Sequence, residues 1–198
     1  MVHYFDSVQT ASPHERQLSV SVLGHPLAFL TSSAMFSPKR VDAGSFLLVN
    51  SCPQIPDGSK VLDLGCAYGF VGISLAKAYP RAAFCLTDSN IRSAEYAEKN
   101  ALLNKMDNVK VSHGNLFHSL PSDFNLILLN PPHAAGNAVC FSMIDGAEKH
   151  LAQGGNFLMV SRKNKGGKTF AKRMQEAFGN VSVIVKKGGF WVYQSSKI

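Results

Sequence analysis

No Cys-x-x-Cys pair occurs in this 198-residue chain, although it holds four cysteines, Cys52, Cys66, Cys85 and Cys140. Its seven histidines are scattered, without a His-Glu-x-x-His pattern. These absences exclude the usual spacings of structural zinc and of redox dithiols, so no metal is expected. The cysteines read as small core residues in a reducing compartment. No apolar stretch is long enough to span a bilayer and no signal-peptide pattern is evident, so no membrane association and a cytoplasmic location are expected. Internal repeats and low-complexity tracts are missing as well. Acids are scarce: 13 Asp and Glu stand against 20 Lys and Arg, a formal charge of +7 with a pI near 9.3. A basic domain of this kind favours a polyanionic partner, nucleic acid first.

What is present fits one globular domain over residues 1–198. The hydrophobic fraction is 45%, enough for a substantial core. Residues 1 to about 15 are polar and expected to be loosely held. Leu18, Val20 and Val22 alternate before Gly24-His25, and Leu27 and Phe29 follow, which suggests a hairpin. Ser45 to Val49 reads as a helix. Together, residues 1 to about 52 form a small cap, too short for a core of their own, ahead of a catalytic core over 53–198. From Lys60 onward, strands alternate with helices. Strands are expected at Val61–Leu62, Ala82–Thr87, Val109–Ser112, Phe124–Leu129 and Phe157–Ser161, the last after a turn at Gly154-Gly155. Helices are expected after Gly69, over Ile91–Leu103, about Val139–Leu151, and Lys165–Phe178, the last a basic one. Two closing strands, Val181–Val185 and Phe190–Tyr193, suit an antiparallel hairpin. This order implies an α/β fold: a Rossmann-like, mainly parallel sheet of seven strands, with ligands beyond the strands' carboxyl ends.

The chain's chemistry concentrates at that edge. Lys60-Val-Leu-Asp63-Leu-Gly65-Cys66-Ala67-Tyr-Gly69 runs from an apolar strand through small residues into a helix, which suits a nucleotide-like ligand. The spacing Gly65-x-Ala67-x-Gly69 does not match the dinucleotide Gly-x-Gly-x-x-Gly fingerprint, and no residue arrangement suggests hydride chemistry. Asp88, about 20 residues on, is placed to accept from two ribose hydroxyls or to cap the next helix. The buried-type strand Phe124–Leu129 ends abruptly in Asn130-Pro131-Pro132-His133. An aromatic amine is a poor nucleophile because its lone pair is delocalised. Acceptors at the Asn130 oxygen and a neighbouring backbone carbonyl would hold its two hydrogens and free the lone pair. Pro131 and Pro132 fix φ and supply no competing N–H.

The glycine stretch resembles motif I of class I methyltransferases, which bind S-adenosylmethionine; that family usually has glycine where this chain has Ala67. Asn130 to His133 resembles motif IV, Asn/Asp-Pro-Pro-aromatic, of amino-methyltransferases acting on exocyclic nitrogens, with His133 in place of Tyr or Phe. The resemblance widens across His3-Tyr4-Phe5, the hairpin from Leu18 to Thr31, Phe36 to Gly44, Asn130 to Gly136 and Lys187-Gly188-Gly189. Nearly the whole chain is similar to the small-subunit ribosomal RNA guanine-N2 methyltransferases, especially short single-domain archaeal-type members. Ser32-Ser33-Ala34-Met35 stands where those members often have Asp-Ser-Gly-Val.

The resemblance implies the class I methyltransferase fold, S-adenosylmethionine as cofactor and ribosomal RNA or the small subunit as partner. It implies catalytic roles for Asn130, Pro131, Pro132 and His133. Cofactor binding would fall to Asp63, Gly65, Cys66, Ala67, Gly69, Asp88, Ser89, Asn115, Leu116 and Asn130. Substrate binding would fall to Phe36, Ser37, Lys39, Arg40, Arg162 and Lys163, within a basic rim extended by Lys165, Lys168, Lys172, Arg173, Lys186 and Lys187. A monomer or weak dimer is expected. The same motifs serve N6-adenine methylation of transfer RNA or DNA and methylation of a protein glutamine amide. Ala67, Asn115 and His133 are the departures that a non-catalytic RNA-binding relative would show.

Overall fold

The structure, a computed structural model, describes residues 15–33 and 35–198, and only the backbone of His133 and Lys165. The expectations on residues 1–14, on Ala34 and on the side chains of His133 and Lys165 lie outside the described residues.

The chain opens with a two-stranded antiparallel hairpin, β1 (Glu15–Val22) and β2 (His25–Ser32). Its tip is Leu23-Gly24, both at positive φ (51° and 79°), the geometry of a two-residue hairpin turn whose twist matches the strands. The hairpin does not join the main sheet. Its β2 edge is instead closed by two side chains of helix α3 (Ile91–Leu103) and its end. Asn100 Oδ1 accepts the Leu30 amide at 2.7 Å, and Asn100 Nδ2 donates to the Leu30 carbonyl at 2.9 Å. Asn104, one turn on, repeats this with Ala28 at 3.1 and 2.7 Å. Two carboxamides spaced i, i+4 thereby imitate a neighbouring strand.

Helix α1 (Ala43–Asn50) follows, then β3 (Lys60–Leu64), α2 (Phe70–Ala78), β4 (Ala83–Asp88), α3, β5 (Val109–His113) and β6 (Phe124–Leu129). A 3₁₀ turn at His133–Ala135 leads into α4 (Asn137–His150) and β7 (Leu151–Arg162). A π-helical turn at Lys163–Gly167, helix α5 (Lys168–Phe178), β8 (Ser182–Lys187) and β9 (Phe190–Ser196) complete the chain.

The sheet order is β5-β4-β3-β6-β7-β9-β8. β3 to β7 are mutually parallel where they pair, and β9 runs antiparallel between β7 and β8. This is the expected seven-stranded arrangement. The chain winds outward from β3 in one direction and from β6 in the other, so the ligand-binding switch point falls between their carboxyl ends. One core layer packs α1, α2, α3 and the hairpin on one face of the sheet; the other packs α4 and α5 on the opposite face. Ile127, Leu128 and Leu129 of β6 have no exposed surface, as befits a strand covered on both sides.

Three differences from the sequence reading have a clear physical reason. β7 begins at Leu151 rather than Phe157, because a register shift between Phe124 and Leu126 lets the strand pair past Gly154 and Gly155. α5 begins at Lys168 rather than Lys165, since Lys163–Gly167 forms the π turn. Asn90, not Asp88, caps α3, its side chain accepting from the Ser93 amide at 3.2 Å.

Candidate active site

The turn after β3 is shaped by three left-handed residues in five positions: Gly65 (φ 71°), Ala67 (φ 51°) and Gly69 (φ 88°). Its backbone is stitched to the end of β4. The Gly65 and Cys66 amides both donate to the Thr87 carbonyl at 2.9 Å, and the Ala67 amide donates to Asp88 Oδ2 at 2.9 Å. Asp88 Oδ1 accepts the Asn90 amide at 2.9 Å. Asp63, 3% exposed, accepts the Gly72 amide of α2 at 2.8 Å. Burial pushes its carboxyl up to about 7, opposed by that hydrogen bond and assisted by the nearby Asp88 charge. Burial also drives the Cys66 thiol well above its usual range, so it is not a nucleophile.

Beside this turn lies a cavity of about 610 Å³, within the range of small-molecule sites. It collects Asp63, Gly65, Cys66, Ala67, Asp88, Ser89, Asn115, Leu116, Asn130, Pro131 and Pro132, with Phe36, Ser37 and Arg162 on its wall. The sequence reading named all of these. Gly69, Lys39, Arg40 and Lys163 do not line it. Gly69 serves packing: a Cβ there would come within 2.8 Å of Ile73 Cδ1. Lys39 and Arg40 are exposed just outside, where the Ser37 hydroxyl donates to the Arg40 carbonyl at 2.7 Å. The Lys163 ammonium lies 5.4 Å from the Trp191 ring centroid. On α5, Arg173 is held by Asp145 and Glu176, and Lys172 stands 3.9 Å from Glu176, so acids offset that part of the basic helix.

Sequence reasoning missed Asp42, Ser45, Tyr68, Thr87, Met143 and Phe190, which also line the cavity. Thr87 Oγ1 is buried without a protein hydrogen-bond partner. Phe190 carries the Arg162 guanidinium at 4.5 Å from its centroid, a cation–π contact on the wall. The Asn130 carboxamide donates from Nδ2 to Asp42 Oδ2 at 3.0 Å and to Ser45 Oγ at 2.8 Å. Both Nδ2 hydrogens are thereby used. Oδ1 receives no hydrogen bond among the described residues and remains the amide's open acceptor.

A parallel sheet with this switch point, a small-residue turn after its first core strand, a strand-end acid and an Asn-Pro-Pro after its fourth define a Rossmann-like methyltransferase of class I topology. The chain belongs to the methyltransferase small-domain family, whose model matches residues 26–194. It is 32% identical over 200 residues to the uncharacterized protein YbxB of Bacillus subtilis, covering 99% of this chain and 98% of that one. It is also 32% identical over 170 residues to ribosomal RNA small subunit methyltransferase C of Hamiltonella defensa, covering 84% of this chain and 49% of the relative. The T. thermophilus 16S rRNA N2 methyltransferase, solved in complex with AdoMet and guanosine, superposes with a TM-score of 0.84 at 25% identity. That match covers 96% of this chain and 52% of the other. The chain thus spans about half the length of the ribosomal RNA methyltransferases it matches.

Among the described residues, no helix is long and apolar enough to cross a membrane, and no group of three or more His, Cys, Asp or Glu could hold a metal ion.

Proposed function

We propose that this chain is an S-adenosylmethionine-dependent N-methyltransferase acting on an exocyclic nucleobase amine in RNA, with guanine N2 of small-subunit ribosomal RNA as the target. It works in the cytoplasm, as a monomer or weak dimer. The observation that carries the reading is the Asn130 amide, turned so that Oδ1 is its open acceptor beside the glycine-turn cavity. The relatives support it, since one was solved with both AdoMet and guanosine.

The residues present fit the cofactor. The cavity is large enough, the Asp88 carboxylate lines it beside the glycine turn, and Thr87 Oγ1 is buried at its wall without a protein hydrogen-bond partner. Cofactor contacts would come from Asp63, Gly65, Cys66, Ala67, Asp88, Ser89, Asn115 and Leu116. S-adenosylmethionine, when bound there, would supply an electrophilic methyl carbon to the amine, with the sulfur as leaving group. Asn130 Oδ1 and a neighbouring backbone carbonyl take the two amine hydrogens, which turns the nitrogen lone pair toward the methyl. Pro131 and Pro132 keep those acceptors fixed and add no competing donor. The methylated ammonium then gives one proton to water. Most of the acceleration comes from positioning and from acceptors aimed where positive charge grows on nitrogen. Phe36, 43% exposed at the cavity wall, would meet an extruded base.

The test is methyl transfer from labelled S-adenosylmethionine to ribosomal RNA, followed by mass spectrometry of the nucleosides. N2-methylguanosine, formed far more slowly but still measurably with Asn130→Ala, is the expected result. N6-methyladenosine instead would move the target base, and no transfer to any RNA would end the reading.

A further inference from the structure

The segment Val41-Asp42-Ala43-Gly44-Ser45 has no assigned role, yet it closes on Asn130 across 88 positions of sequence. Asp42 Oδ2 accepts two hydrogens at once, from the Ser45 amide at 2.8 Å and from Asn130 Nδ2 at 3.0 Å. The first bond caps helix α1; the second holds the amide. Ser45 Oγ takes the other Nδ2 hydrogen at 2.8 Å. A carboxylate accepts and never donates while ionised, so it admits only the NH₂ end of the carboxamide. Gly44 keeps the arrangement open: a Cβ there would stand 2.9 Å from Asp42 Oδ2 and 2.9 Å from Phe190 Cε1.

We infer that Asp42 and Ser45 are positioning residues that fix which end of the Asn130 amide meets the substrate. This rests on the methyltransferase reading above. Without them, the amide flips freely, and in half of its orientations it presents an N–H donor to an amine that needs an acceptor. The Asp42 charge adds polarisation: accepting from Nδ2 enriches the electron density on Oδ1, where the developing ammonium must be held. Cap and orienting bond share one oxygen, so the docking of α1 and the poise of the catalytic amide are a single device.

The experiment is a double-mutant cycle. Single-turnover rates, KM for RNA, S-adenosylmethionine affinity by calorimetry and Tm are measured for Asp42→Ala, Asp42→Asn and Ser45→Ala, each with Asn130 intact and with Asn130→Ala. Asp42→Ala is expected to lower the rate by roughly tenfold to a hundredfold with cofactor affinity and KM unchanged. Asp42→Asn keeps a capping oxygen, so it restores Tm; the rate recovers only in part. In the Asn130→Ala background, the same changes should cost little further, because the group they orient is gone. The Asn130 side-chain NH₂ signals, assigned by their loss in Asn130→Ala, should shift in Asp42→Ala and Ser45→Ala without any substrate. Equal rate losses in both backgrounds, or unshifted NH₂ signals, would overturn the inference. An inactive wild type would instead overturn the methyltransferase reading, which keeps the two failures apart.

Discussion

The Gly72 amide donates to Asp63 Oδ2 at 2.8 Å, tying the first turn of α2 to β3 through a carboxylate that has almost no contact with water. Burial lifts this carboxyl from 3.8 to about 7. A folded-state value above the unfolded one means that the native protein binds the proton more tightly. The associated stability is therefore fully present below about pH 4 and is lost as pH rises through 7. Asp63→Asn keeps an acceptor for Gly72 and removes the buried charge. It should raise Tm more at pH 8 than at pH 5. An equal shift at both values, in thermal melts across that window, would show the carboxylate to be titrating normally.

Ala67 sits in the left-handed region at φ 51°, buried, in the turn that lines the cavity. A Cβ in that conformation costs about 1–2 kcal/mol, partly offset by the greater chain freedom of glycine when unfolded. Ala67→Gly is expected to stabilise the protein by about 1 kcal/mol. Chemical denaturation checks this, and a midpoint that falls would contradict it. Because the Ala67 amide would still donate to Asp88, cofactor binding should survive.

Asn100 bonds to both backbone groups of Leu30 and to the Tyr68 carbonyl, at 2.7 to 2.9 Å. Asn100→Ala would strand these partners, a loss of about 2 kcal/mol or more. Asn104→Ala, at a half-buried position where Asn100 is fully buried, should cost about 1 kcal/mol. Hydrogen exchange would report the same difference: the Leu30 amide should lose protection in Asn100→Ala, while β3 and β6 keep theirs.

The Lys163 and Lys186 ammonium groups lie 5.4 and 4.5 Å from the centroid of Trp191, the chain's sole tryptophan, and neither pairs with an acid among the described residues. On the proposed function, two cations gathered on one ring by cation–π contact, near the end of β7, would meet RNA phosphates. Replacing each with alanine should lower the salt dependence of RNA binding by about one unit of slope. Arg173→Ala should leave that slope alone, since Asp145 and Glu176 already occupy its guanidinium. Trp191 fluorescence during RNA titration gives the affinity, and a salt slope untouched by the lysine changes would place the phosphates elsewhere.

Residue order carried much of the architecture. The alternation of apolar strands with helices, the small-residue turn after Asp63 and the uninterrupted Phe124–Leu129 run marked the sheet and its ligand-bearing edge. Each is a local pattern read within a few residues. Asn130 was legible for the same reason, since a buried strand that stops at Asn-Pro-Pro is visible in its own neighbourhood. Its partners were not. Asp42 and Ser45 reach Asn130 from 88 and 85 positions away, and no periodicity links such distant residues. Gly69 looked like part of the ligand cradle but faces Ile73, because a glycine can be required by a ligand or by a packed neighbour and the letter is the same. Arg173 looked like free charge until α4 brought Asp145 beside it. Backbone preference and hydrophobic spacing act over a turn or a strand, so they are written along the chain. Which side chain meets which across the sheet depends on packing between elements, and that exists only once the chain has folded.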